Sequence, residues 1–136
     1  MKGFDRDGFY MLRKIFNSDE LERMCAVADR LTEQAGKACV RNICELEVEL
    51  ADLACSEKLT SLLPNGYTMV RSILFDKTPE QNWPVLWHQD LTIAVKERCD
   101  LAEYGPWSQK DGVNHVQPPV EVLQNMVTLR IHLDPT

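Results

Sequence analysis

The stretch from Val85 to Val95 most narrows what this chain can fold into. Apolar residues fill both of its flanks, Trp83 to Trp87 on one side and Leu91 to Val95 on the other, and the run reads as a strand. At its middle stands Trp87-His88-Gln89-Asp90. Successive side chains of a strand point to opposite faces, so His88 and Asp90 are expected on one face, with Trp87, Gln89 and Leu91 on the other. An imidazole and a carboxylate converging on one point make two-thirds of a facial iron triad. A second histidine from elsewhere would complete the triad and leave three adjacent positions open on a non-haem Fe(II). As a bare motif His-x-Asp is common. The apolar run around it distinguishes this copy from a solvated surface pair.

The rest of the chain supplies few rivals for chemistry. No Ser-His-Asp or Cys-His arrangement, glycine-rich phosphate loop or His-Glu-x-x-His is present. Five cysteines, Cys25, Cys39, Cys44, Cys55 and Cys99, show no Cys-x-x-Cys spacing and read as reduced structural thiols. Cys39 and Cys44 are close enough for a metal pair, but no second pair or nearby His accompanies them. The net charge is −6 and the pI near 5.0, with Lys and Arg scattered, so no basic stripe is available to a nucleic acid. Neither a signal peptide nor a membrane span is read from the apolar runs, and a cytoplasmic location is expected.

Length and pattern point to one domain of 136 residues in two regions, a helical one over 1–66 and a strand-rich one over 67–136. Asn17-Ser18-Asp19-Glu20 reads as a helix start, since Asn or Ser can accept from the free amides and acidic residues favour the positive end of the dipole. Leu21, Met24, Cys25, Ala28 and Leu31 then make one apolar stripe, and Gly36 offers a stop. From Ile43 to Ala54 the period is ambiguous. Leu46, Val48 and Leu50 alternate as in a strand, whereas Leu46, Leu50, Leu53 and Ala54 fit a helix. A short helix capped by Ser56 runs to Leu63 and ends at the turn signature Pro64-Asn65-Gly66. A strand is expected over 67–75, then a polar loop over 76–82 that leads into the His88 stretch. Residues 99–119 read as one long loop, in which Trp107 either closes over a site or packs the loop down. Pro119 suits the first position of a one-turn helix. A last strand over 126–134 would set Val127, Leu129, Ile131 and Leu133 on one face and Thr128, Arg130, His132 and Asp134 on the other.

Several ordered blocks carry a resemblance. They are Phe4-Asp5-Arg6-Asp7-Gly8-Phe9, Val70-Arg71-Ser72-Ile73-Leu74-Phe75-Asp76-Lys77-Thr78-Pro79, Trp87-His88-Gln89-Asp90-Leu91-Thr92-Ile93-Ala94-Val95, Gly105-Pro106-Trp107-Ser108, Lys110-Asp111-Gly112-Val113, His115-Val116-Gln117-Pro118-Pro119, and Leu129-Arg130-Ile131-His132-Leu133-Asp134. Together they resemble the phytanoyl-CoA dioxygenase family over nearly the whole chain. The resemblance implies an Fe(II)- and 2-oxoglutarate-dependent dioxygenase that hydroxylates a small-molecule substrate. Its fold would be α+β with a mainly β core: N-terminal helices followed by the first part of a double-stranded β-helix of the jelly-roll or cupin kind. His88 and Asp90 would be metal ligands. Ile73, Trp87, Trp107, Arg130 and His132 are candidates for the cosubstrate and substrate pocket. The family's third ligand, a distal His, and its 2-oxoglutarate-binding Arg lie downstream of the segment ending Leu133-Asp134, which speaks against His115 or His132 as the third ligand. Either a C-terminal half or a homodimer would then complete the barrel. The alternative is a non-catalytic fragment serving as an interaction or metal-binding module.

Overall fold

The computed structural model describes residues 4–134, which combine helix and strand at 33% and 13%. A helical turn, α1 (Phe4–Asp7), precedes the dominant element, α2 (Ser18–Ala35). The start of α2 is a capping box. Asn17 Oδ1 accepts from the Glu20 amide at 2.9 Å, and the Asn17 amide donates to Glu20 Oε2 at 2.8 Å, so two amides that the helix leaves unpaired are satisfied. Gly36 ends the helix in the left-handed region at φ 61°, donating its N–H to the Thr32 carbonyl at 2.8 Å. The buried stripe is Met24, Val27 and Leu31. Val27 takes the place expected for Ala28, while Leu21, Cys25 and Ala28 flank the stripe half-buried.

β1 (Cys39–Arg41) packs under α2 and contributes Val40 to the core beside Ala38. The ambiguous stretch that follows is helical, as α3 (Ile43–Leu46) and α4 (Val48–Cys55), and α5 (Glu57–Thr60) adds the buried Leu59. β2 (Ile73–Phe75) pairs antiparallel with β1, Val40 opposite Leu74. The expected strand over 67–75 thus shrinks to its last three residues. Its partner explains why: Asn42 turns into the left-handed region at φ 60°, and after one further bond, from the Asn42 amide to the Ser72 carbonyl, β1 has no backbone to offer. Tyr67, Met69 and Val70 are left exposed.

The second sheet has the order β3-β5-β4, all antiparallel, from β3 (Ile93–Val95), β4 (Trp107–Lys110) and β5 (Val113–Val116). β4 and β5 replace much of the expected loop over 99–119 and are joined by Asp111-Gly112, both at positive φ, the two-residue turn whose twist suits a hairpin. Asp111 also ties the two sheets together: its carboxylate accepts from Arg41 at 2.9 Å and Lys37 at 3.4 Å. These cations hold the carboxyl below the usual aspartate range, the Arg41 hydrogen bond first and the Lys37 charge second. α6 (Val120–Gln124) follows, with Pro119 at its cap position rather than its first turn.

Two expected strands are corrected. In the stretch from Val85 to Val95 only Ile93–Val95 is strand. β5 pairs Val116 with Ile93, so extending that register upstream would set Leu91 and Asp90 opposite Pro118 and Pro119, which have no N–H to donate. The stretch over 126–134 forms no strand among the described residues, and of its expected apolar face Leu129 and Ile131 lie exposed while Val127 and Leu133 are half-buried. The core is accordingly less β than expected: Met24, Val27, Leu31, Ala38, Val40 and Leu59 gather around α2 and β1, and from the second sheet only Val116 joins the buried hydrophobic set. No described helix is long and apolar enough to cross a membrane.

Candidate functional site

The segment carrying His88 and Asp90 leaves a well-anchored loop. Lys77 donates to the Trp83 carbonyl at 2.8 Å and stands 4.6 Å from its ring centroid, while Phe75 packs on the same indole at 6.2 Å. Gln81 receives the Ala38 amide at 2.9 Å and ties the loop to β1. After Trp83 the anchoring ends. Val85, Leu86 and Trp87 are exposed, Trp87 completely, and the chain returns to packed structure only at β3.

Within this exposed segment the His88 ring is held in one orientation. Its Nδ1 lies 2.7 Å from the Leu86 carbonyl. A carbonyl only accepts, so Nδ1 is the donor, and in the neutral ring Nε2 then keeps its lone pair. This is the arrangement in which a metal-binding histidine is usually held by its outer partner. Two residues on, the Asp90 side chain is 69% exposed, with Oδ2 3.5 Å from Nη2 of Arg71, a residue just before β2. The two candidate ligands therefore sit on irregular backbone, not on alternate positions of a strand.

The remaining candidates are dispersed. Ile73 pairs opposite Arg41 in the first sheet. Trp107 is half-buried on β4 opposite Val116, with the Arg98 guanidinium 5.5 Å from its ring, so it packs the hairpin. Arg130 and His132 are exposed on irregular backbone. His115 is buried in the centre of the second sheet, between Ala94 and Ser108, with Nδ1 3.1 Å from the Val113 carbonyl and Nε2 without a hydrogen-bond partner. Among the described residues no cluster of three His, Cys, Asp or Glu side chains forms, so neither His115 nor His132 joins His88 and Asp90. Two shallow depressions, one lined by Ser18, Cys25 and Leu133 and one by Met24, Val27 and Leu53, lie on α2 and include none of the candidates.

The donors fit Fe(II) in kind, an imidazole nitrogen and a carboxylate oxygen, and fall one short of the facial triad in number. Arg71 is the neighbour that sequence reasoning missed. It stands nineteen positions before Asp90 and carries no local signal of its role. The Asp111-Gly112 turn was also missed, although Asp-Gly between two short runs is the strongest local hairpin signal. Comparison with family models, with curated proteins and with solved structures finds no match.

Proposed function

We propose that this chain is a phytanoyl-CoA-dioxygenase-type Fe(II)- and 2-oxoglutarate-dependent hydroxylase, or the N-terminal portion of one, in which His88 and Asp90 hold the iron. The observation that carries the reading is the His88 ring, whose Nδ1–H is committed to the Leu86 carbonyl while Nε2 is left free in the same exposed segment as the Asp90 carboxylate. The ordered blocks quoted above support it independently. Iron and 2-oxoglutarate, when bound, supply the oxidising power to hydroxylate a C–H bond. This chain's own part is to present Nε2 and the carboxylate, with the Arg71 guanidinium 3.5 Å from Asp90 until a cation takes its place. The first part of a double-stranded β-helix is the fold this function implies. The third ligand and the cosubstrate clamp come from outside residues 4–134.

A second reading, a metal-binding or interaction module without turnover, is favoured by the dispersal of Trp107, Arg130 and His132 away from a common pocket. Anaerobic titration of the 136-residue chain with Fe(II) and 2-oxoglutarate separates the two. Under the first reading a visible charge-transfer band of the chelate develops and is lost in His88→Ala. Metal binding that His88→Ala abolishes, with no band and no succinate released, selects the second. Unchanged metal affinity in His88→Ala overturns both.

A further inference from the structure

Of the asparagines in the chain, only Asn65 is followed by glycine. The dipeptide sits in a β-turn after α5, closed by one long hydrogen bond from the Tyr67 N–H to the Pro64 carbonyl at 3.4 Å. Gly66 takes φ 87° in the third position of this turn, where a positive φ makes glycine the fitting residue. Every residue from Pro64 to Val70 is exposed, so nothing packs over the turn. Among the described residues the Gly66 N–H has no carbonyl partner, and a Cβ built on Gly66 would meet no atom within 4 Å. The Gly66 nitrogen is therefore open to the side chain just before it. The other asparagines are held or shielded. Asn17 Oδ1 accepts from the Glu20 amide at 2.9 Å, and Asn125 Nδ2 donates to the Glu121 carbonyl at 2.8 Å. Asn114 lies within the β5 ladder, and Asn42 and Asn82 precede the bulky Ile43 and Trp83.

We propose that Asn65 is a site of spontaneous covalent modification, at which the Gly66 nitrogen displaces the side-chain amide and the turn becomes aspartyl or isoaspartyl. The Gly66 N–H first gives its proton to a base in the solvent, and the nitrogen attacks Asn65 Cγ. The N–Cγ bond forms, the Cγ–Nδ2 bond breaks, and Nδ2 takes a proton from solvent and leaves as ammonia. The product is a five-membered cyclic imide. Water then opens it at either carbonyl. Cleavage of the new N–Cγ bond leaves aspartate at position 65, whereas cleavage of the original peptide bond leaves an isoaspartyl link, with the main chain running through Cβ and Cγ. No electron is transferred, and water is the only co-reactant. Either product adds one negative charge to a chain already at −6, and the isoaspartyl link also lengthens the backbone by one carbon between Pro64 and Gly66. The turn joins α5 to the segment that carries Arg71 and β2, so the change falls where the helical region passes into the first sheet.

Incubation of the folded full chain at neutral and at mildly alkaline pH, followed by intact-mass and peptide-mass measurement, tests the proposal. The expected result is a gain of one mass unit that maps to Asn65, grows faster in the alkaline sample and leaves the other asparagines unchanged. Part of the product should accept a methyl group from an isoaspartyl methyltransferase, which aspartate does not. Asn65→Ser should remove the gain, and Gly66→Ala should slow it about tenfold or more, because a Cβ then stands beside the attacking nitrogen. Position 65 is exposed, and far-UV circular dichroism should report an unchanged fold in Asn65→Ser. The same chain unfolded in urea isolates the part played by the turn, and Asn65 of the folded chain should react within about tenfold of the unfolded rate. An Asn65 that stays intact in the folded chain, whether or not it reacts in urea, overturns the proposal. So does a mass gain that persists in Asn65→Ser or maps to another asparagine.

Discussion

Asp90 faces two cations in turn. In the structure its carboxylate has Arg71 at 3.5 Å, and with Asp90 69% exposed the pair is open to water and contributes about 0–1 kcal/mol. A metal held by His88 and Asp90 must share that carboxylate with the guanidinium or displace it. Like charges a few ångströms apart repel even in a wet environment, so Arg71→Gln should tighten Zn²⁺ binding about three- to tenfold at low ionic strength, and the gain should shrink as salt screens it. Competition against a coloured chelator measures this. Weaker binding in Arg71→Gln would instead show that Arg71 orients Asp90. At this scale the candidate ligands were legible as residue types at a spacing, whereas Arg71 was not, because only the fold brings position 71 to position 90.

The elements show how far local pattern reaches. Helix α2 was readable nearly to its ends, since Asn17, Glu20 and Gly36 each act within one turn of their own backbone. Glu20 goes further and accepts from Lys58 just past the start of α5, linking the two helices. The Lys58 hydrogen bond first, and the Asn17 amide second, hold the Glu20 carboxyl below its ordinary value. A lowered carboxylate pKa means that this contribution is complete above the ordinary glutamate range and is lost as pH falls through the folded-state value. Lys58→Met should therefore be less stable than the parent at neutral pH, and the gap should close at acid pH once Glu20 is protonated in both. Urea midpoints measured across that range check it, and a gap independent of pH would sink the assignment. The strands were less legible, because a strand is decided by its neighbour. Ile93–Val95 pairs and the residues before it do not, since the facing backbone there is Pro118 and Pro119.

The whole molecule is defined by how little it buries. Against an extended chain of the same mass, the accessible surface of 10811 Å² means that about half is removed on folding, where about 68–70% is usual at this size. The urea m-value follows the area exposed on unfolding, so for the metal-free chain it should fall about a quarter below that of an ordinary 136-residue protein. An m-value at the ordinary level would show that the chain in solution covers surface that the structure leaves open. The core around α2 and β1 is small, and Val85, Leu86, Trp87, Leu91, Leu101, Val120, Met126, Leu129 and Ile131 after it stay exposed.

The division between sequence and tertiary structure follows from range. The caps and stripe of α2 and the turn at Pro64-Asn65-Gly66 rest on interactions within a few residues, and the amino-acid sequence by itself determined them. Where the strands stop, that Arg71 meets Asp90, that Asp111 ties one sheet to the other and that His115 is buried depend on backbone and charge brought together from distant positions. Only the tertiary structure decided these, because hydrogen-bond ladders and burial belong to pairs of segments and to no single segment alone.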